Sequence, residues 1–353
     1  MRIVTKKSPV VTVVVVTHRA AGFIEACLRG LAVQTVSHRL LVIDNASADG
    51  TADVLNEFVG PDDPLRSVVR LDANRGFAGG VAAAMPMIDT PFLGLLNDDA
   101  VPDPDWLEAL LAVALLDPLA AAWTSLVVLM DDPAVVNNLG TGINESWYGV
   151  DLEAGTPVSE VGDEVRDVLG FCGGAALLRT DALRAVGGIP AEFFMYYEDL
   201  DTSLRLRTAG WEIRAVPTAR VVHRHAATSD RRSRNFHMWN ERNRLLTLMR
   251  RAPMTVAPRQ LARFLATTMS LTRSRMIGRP VPKVANFDPG LRIRVVAGVL
   301  RRTPRAYRHR VSWRRGLTST RWPAPAPVYS MAKPSLLPTQ RPHRQVAGHR
   351  RAV

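Results

Sequence analysis

Seven consecutive residues, Val10-Val11-Thr12-Val13-Val14-Val15-Val16, constrain the fold more than any other stretch. The run is too short for a typical helix and apolar on both faces, which predicts a central strand of a parallel sheet. The polar Thr17-His18-Arg19 follows at its carboxyl end. From Phe23 to Gln34, Ile24, Cys27, Leu28 and Leu31 recur at helical spacing and predict a crossover helix. Leu40-Leu41-Val42-Ile43 gives a second strand ending in Asp44, and the capping-rich turn from Asn45 to Thr51 opens a helix through Leu55 and Phe58. A third strand, Ser67 to Leu71, leads to Asn74-Arg75-Gly76-Phe77-Ala78-Gly79-Gly80 and a helix from Val81. This βαβα order is the signature of a doubly wound α/β sheet.

Such sheets bind ligands at the carboxyl ends of their strands. No G-x-G-x-x-G opens the first helix, so the usual dinucleotide site is disfavoured. A nucleotide would instead be held by strand-end side chains: Thr17, Arg19, Asp44, Asn74 and Arg75. Asp44 can accept from a base or ribose donor and Arg75 can meet a phosphate. The alternatives are a helix-capping turn for Asp44 and a solvated loop charge for Arg75. A fourth strand, Pro91 to Leu96, delivers Asn97-Asp98-Asp99 and stops at Pro102 and Pro104. Two carboxylates there can hold Mg²⁺ or a similar cation together with a substrate diphosphate. An Asx-turn leading into the helix at Trp106 is the competing account.

The helix to about Leu116 is followed by a strand near Ser125 to Met130, and residues 131–167 read as irregular cover for the site. Small residues in Gly170-Phe171-Cys172-Gly173-Gly174 would let a substrate approach the backbone. The helix from Thr180 ends at Gly187-Gly188. In Phe193-Phe194-Met195-Tyr196-Tyr197-Glu198-Asp199, acids follow five large apolar or aromatic residues, and low-dielectric walls raise a carboxylate toward a useful base. A helix N-terminus, where acids suit the macrodipole, accounts for them too. His223 and His225 would share one face of a strand, suited to a metal or a diphosphate, or be structural histidines.

The charge is unevenly placed. After residue 250 there are 22 Lys and Arg against one acid, Asp288, while the first 250 residues hold 23 basic and 32 acidic residues. The net charge of +12 over 353 residues therefore belongs to a tail. Gln260 to Met276 and Leu291 to Leu300 form basic amphipathic segments, able to lie on an anionic membrane surface or to pack on the body. Pro323 to Pro342 is Pro-rich and expected to be disordered. Two cysteines give no disulfide framework, no apolar run is long enough to span a membrane, and Pro9 to Val16 lacks a cleavage pattern. Cytoplasmic residence, peripheral on the inner face of the cell membrane, is the expectation. A protein binding membrane or nucleic acid through its tail is the alternative, nucleic acid being disfavoured. A nucleotidyltransferase is disfavoured by the lack of a Gly-rich basic loop.

Seven pieces in series carry a resemblance over roughly residues 9–250: Val13 to Arg19, Val42 to Thr51, Asn74 to Gly80, Leu96 to Asp99, Tyr197-Glu198-Asp199-Leu200-Asp201 with Arg205 and Ala209-Gly210-Trp211, His223 to Ser229, and Arg242-Asn243-Arg244-Leu245-Leu246. Together they resemble glycosyltransferase family 2, and within it bacterial rhamnosyltransferase-like members. The resemblance implies a GT-A nucleotide-diphospho-sugar transferase fold, Rossmann-like with a mostly parallel sheet, over 1–250. A basic helical extension over 251–321 and a tail over 322–353 lie outside it. It implies a metal-dependent, inverting transfer of a sugar, with dTDP-rhamnose as donor, to a cell-envelope glycan or polyprenyl-linked acceptor. Asp199 is then the base with Glu198 beside it, and Mg²⁺ or Mn²⁺ sits at Asp99 with Asp98 at ribose or metal. His223 or His225 assists at the diphosphate, Asp44 reads the base, and Arg242 joins the nucleotide-sugar contacts. The usual first acid of the metal motif is Asn97 here.

Overall fold

The computed structural model describes residues 8–59, 63–224 and 233–315. The first half alternates as expected: β1 (Val11–Thr17), α1 (Ile24–Ala32), β2 (Arg39–Asp44), α2 (Thr51–Phe58), β3 (Arg66–Arg70), α3 (Gly76–Ala84) and β4 (Phe92–Asn97). Then come β5 (Ala100–Pro102), α4 (Trp106–Ala114), β6 (Ala120–Leu129), β7 (Val136–Asn138), β8 (Thr141–Ile143), β9 (Gly149–Asp151) and β10 (Arg166–Asp167). The chain continues through β11 (Ala175–Arg179), α5 (Thr180–Ala185), α6 (Glu198–Thr208), β12 (Glu212–His223), α7 (Arg234–Arg251), α8 (Val256–Met276) and α9 (Pro289–Arg315).

The main sheet has the order β10-β12-β6-β11-β4-β1-β2-β3, with β5 on β12 and β7 on β6. β1 is central and parallel to both β2 and β4. Its Val11, Val13 and Val15 enter the core under α1, α2 and α4, and its Val14 and Val16 enter the core on the opposite face. That two-sided burial explains the uninterrupted valines. β11 runs antiparallel between β4 and β6, which makes the sheet mixed.

Two expectations need correction. β6 begins at Ala120, five residues before the expected start, because its neighbours β11 and β12 recruit alanines of low strand propensity. Residues 131–167 are not irregular throughout: they hold β7 to β10. Strands of two or three residues are too short for alternation to reveal.

α3 explains one glycine. Gly76 has φ +69°, and a Cβ there would lie 2.1 Å from the Phe194 carbonyl oxygen. Gly76→Ala is expected to destabilise by more than about 1 kcal/mol and to displace the loop before α6, visible as a lower urea midpoint.

α8 and α9 pack on α7: Leu245, Phe264, Val295 and Val299 form one small core. The inner faces of the basic segments are thus spent on packing. Among the described residues no helix is long and apolar enough to cross a membrane. The Pro-rich tail and His225 lie outside the described residues.

Candidate active site

The carboxyl ends of β1, β2 and β4 open onto a cavity of about 1040 Å³. Thr17 and Arg19 line it after β1, Asn45 after β2, Asn74 from the loop after β3, Asp98 and Asp99 after β4, His223 from the end of β12, and Glu198 and Asp199 from the start of α6. The two acidic centres are joined by a short bridge. Gly174 accepts the Asn97 amide through its carbonyl (2.9 Å), and the Gly173 N–H donates to Asp199 (3.2 Å). A Cβ on Gly173 would meet the Phe77 ring at 3.2 Å, and one on Gly174 would meet the Asn97 side chain at 3.0 Å.

Asp98 and Asp99 are both buried. Burial first, then the charge of Asp99, pushes the Asp98 carboxyl up to about 7, despite the nearby Thr17 hydroxyl and His18 amide. Asp99 meets His223: Nε2 lies 3.0 Å from Asp99 Oδ1, and Nδ1 lies 3.0 Å from Asn137 Oδ1. An imidazolium would donate to both oxygens, whereas a neutral imidazole carries one N–H and serves only one of them. In the neutral form with Nδ1–H donating to Asn137, Nε2 would be left free to join Asp99 in holding a divalent cation, the usual arrangement behind a metal-bound histidine. Among the described residues no three such side chains converge as a ready-made metal site, so a cation here would be held by Asp99 and His223, with Asp98 adjacent and a diphosphate completing the shell.

The first turn of α6 carries three buried or half-buried acids in different environments, of which Glu198 and Asp199 line the same cavity. Burial would raise Asp201, but Arg251 and Arg205, at 3.1 and 3.0 Å, outweigh it and hold the carboxyl well below the usual range. Asp199 has no such cation among the described residues. Burial raises it, against hydrogen bonds from the Gly173 and Leu200 amides. Glu198 is raised by burial and then by the Asp199 charge, and its Oε2 has no hydrogen-bond partner among the described residues. Environment thus sorts these acids, leaving Asp199 and Glu198 as the ones fit for proton transfer.

The loop before α6 is strained, with Phe194, Tyr196 and Tyr197 at φ near +70°. Asn243 holds it at three points: Nδ2 donates toward the carbonyls of Phe193, Met195 and Tyr196 at 2.8–2.9 Å. Arg242 is corrected here. It lies buried outside the cavity lining, its guanidinium donating to the Phe193 carbonyl and to Asn243 Oδ1 at 2.9 Å. Arg242 and Asn243 position the acid-bearing loop, while Arg244 pairs with Glu241 and covers the Tyr148 ring. Asn243→Asp would set a carboxylate against three carbonyl oxygens, and a loss of about 3 kcal/mol or more is expected in urea unfolding.

Asp44 and Arg75 also stand outside the cavity lining. Asp44 Oδ1 accepts the Ser47 amide at 3.0 Å, the turn geometry its sequence allowed. Asn45 is the polar group that reaches the cavity from this turn, while its side chain bridges the Arg75 amide and the Gly76 carbonyl.

Sequence reasoning did not assign the opposite wall. Phe194 packs tilted at 35° on Trp239 (centroids 4.6 Å) and Tyr196 meets Phe236 edge to face (5.0 Å), all lining the cavity with Asn235 and Asn240. The aromatic density of 193–197 and 236–239 was the available signal. Asn137 gave none. The segment from β7 to β9 covers the cleft, tied down by Tyr197 Oη accepting the Gly149 amide and Tyr148 Oη donating to Glu241, both 2.9 Å.

A family model for Glycosyl transferase family 2 matches residues 12–187. The chain is 26% identical over 191 residues to "Putative cellulose synthase 2" of Komagataeibacter xylinus, 49% of this chain but only 12% of that protein's length. It is 26% identical over 245 residues to the N-acetylglucosaminyl-diphospho-decaprenol L-rhamnosyltransferase of Mycobacterium tuberculosis, covering 63% of this chain and 78% of that one. Among solved structures, that of GalNAc-T7 with UDP, GalNAc and Mn²⁺ matches with TM-score 0.57 and 14% identity, over 69% of this chain and 48% of that chain, a likeness of fold. Strand order, cleft and family match agree: the chain has a GT-A-like α/β fold and belongs to glycosyl transferase family 2.

Proposed function

We propose that this chain is an inverting, metal-dependent transferase that moves a sugar from a nucleoside-diphosphate donor to a hydroxyl of a cell-envelope glycan or polyprenyl-linked acceptor. One observation carries the proposal: a single cavity holds Asp98, Asp99 and His223 at one side, and at another the buried Glu198 and half-buried Asp199, neither with a cationic partner among the described residues. The rhamnose donor and polyprenyl acceptor are supported only by likeness to the rhamnosyltransferase of Mycobacterium tuberculosis. Mn²⁺ and UDP are bound in the GalNAc-T7 structure, which shares the fold.

A cation held by Asp99 and His223 supplies neutralisation of the charge that grows on the departing diphosphate. The chain's own residues do the rest. Thr17, Arg19 and Asn74 line the end of the cavity nearest the strand termini and hold the nucleotide. Asp199 takes the proton of the acceptor hydroxyl as it attacks, so displacement is direct and the anomeric configuration inverts. The packed Phe194–Trp239 pair and Asn240 offer an apolar face with amide groups beside it, a surface suited to a sugar ring. A protein acting only through its basic tail would leave these carboxyls without a use.

Thermal unfolding with UDP-, dTDP- and GDP-sugars, with and without Mn²⁺, tests the reading. Saturating donor should raise Tm by a few degrees, about 2.7 kcal/mol at a hundredfold excess over Kd, with Mn²⁺ enlarging the effect. The largest shift with dTDP-rhamnose supports that donor, and a larger one with another sugar replaces it. No shift with any donor would sink the transferase assignment.

A further inference from the structure

The inner faces of α8 and α9 are packed, yet their outer faces are apolar. Ten of the seventeen exposed large hydrophobic residues in the described chain lie between Met254 and Tyr307. Along α8, Leu265, Met269 and Met276 share one side of the helix, with Met269 67% and Met276 81% exposed. Along α9, Ile293, Leu300 and Tyr307 do the same, each more than half exposed. Both helices also expose arginines, Arg259, Arg263 and Arg273 on α8 and Arg294, Arg301 and Arg308 on α9, with Arg273 nearest the α8 stripe. No described carboxylate lies within ion-pair distance of these six, and the one acid between residues 253 and 311, Asp288, is engaged by Arg234.

We infer that the outer faces of α8 and α9 form a docking surface for an anionic lipid bilayer, holding the enzyme peripherally on a membrane. Exposed apolar stripes beside cations that no described carboxylate neutralises are what an interfacial helix presents to headgroups and acyl chains. Two features exclude other occupants. A second copy would bring two surfaces of the same positive charge together, and nucleic acid would use the arginines but leave Met269, Met276, Ile293 and Leu300 in water. The surface lies on helices away from the cleft, so it is separable from the transferase reading.

The test is co-sedimentation of the full chain with phosphatidylcholine vesicles with and without phosphatidylglycerol. Binding is expected only with phosphatidylglycerol, and to weaken with salt. Arg263→Gln with Arg273→Gln should weaken it by about tenfold or more. Met269→Gln with Leu300→Gln, which keeps helix propensity and all charges, should raise the lipid needed for half-binding by about tenfold. Both variants should keep the wild-type Tm and the donor-induced Tm shift. Equal binding to both vesicle types would overturn the surface, and so would a Met269→Gln/Leu300→Gln protein that binds like wild type, which would leave charge in the remaining tail as the agent. A dimer in sedimentation velocity that this pair dissociates would assign the face to self-association instead.

Discussion

Asp199→Asn should lower kcat by about 10²- to 10⁴-fold while the donor-induced rise in Tm persists. The substitution keeps the shape of the side chain and one acceptor oxygen for the Gly173 or Leu200 amide, so the start of α6 should stay in place. What is lost is the ability to take a proton. The pH profile of the wild type checks the same group. Burial raises the Asp199 carboxyl above its ordinary value, so the base is charged only above that raised value. Turnover should therefore fall on the acid side at a pH higher than a free carboxylate would give. Stability moves the other way for such a group: the folded state holds its proton more tightly than the unfolded chain does, so this contribution is present at low pH and is lost as pH rises through the raised value. Asp201 has the opposite sign, since Arg251 and Arg205 depress it, and its contribution is lost only in strong acid. An Asp199→Asn enzyme with unchanged turnover would remove this residue from the reaction.

Asp99→Asn should abolish the Mn²⁺ dependence of the donor shift and lower kcat/KM by about 10²-fold or more. His223→Ala should follow in the same direction. Asn137→Ala is the more discriminating variant, because Asn137 touches His223 and not the cation. Loss of an orienting partner of this kind costs about 10- to 100-fold in metal affinity, readable as a higher Mn²⁺ concentration for half-maximal rate with an unchanged maximum. A wild-type enzyme indifferent to chelation by EDTA would refute the cation site and leave the Asp99–His223 contact as a simple ion pair.

The legible parts of this protein were those written as local pattern. Val10 to Val16 announced a strand buried on both faces, found one residue later at Val11–Thr17, and Gly187-Gly188 announced a helix end, the two glycines having φ of +92° and +71°. Gly173-Gly174 was legible as close backbone approach, though not as the bridge between two acidic centres. Asp44 and Asp99 looked alike in sequence, each an acid at a strand end. They separate only in three dimensions, where Asp44 is turned to its own turn and Asp99 to a histidine 124 residues away.

The alternation of strands and helices from β1 to β4, the two acidic centres and the family itself were determined by the sequence alone, because hydrophobic period and short motifs are local quantities. Tertiary structure decided which acids are useful. Glu198, Asp199 and Asp201 sit in one helical turn with the same chain behind them, but only Asp201 meets arginines, and these come from opposite ends of the packing: Arg205 one turn along, and Arg251 from the far end of another helix. The free energy of a buried charge depends on the distance to its partners, and no spacing along the chain encodes that distance.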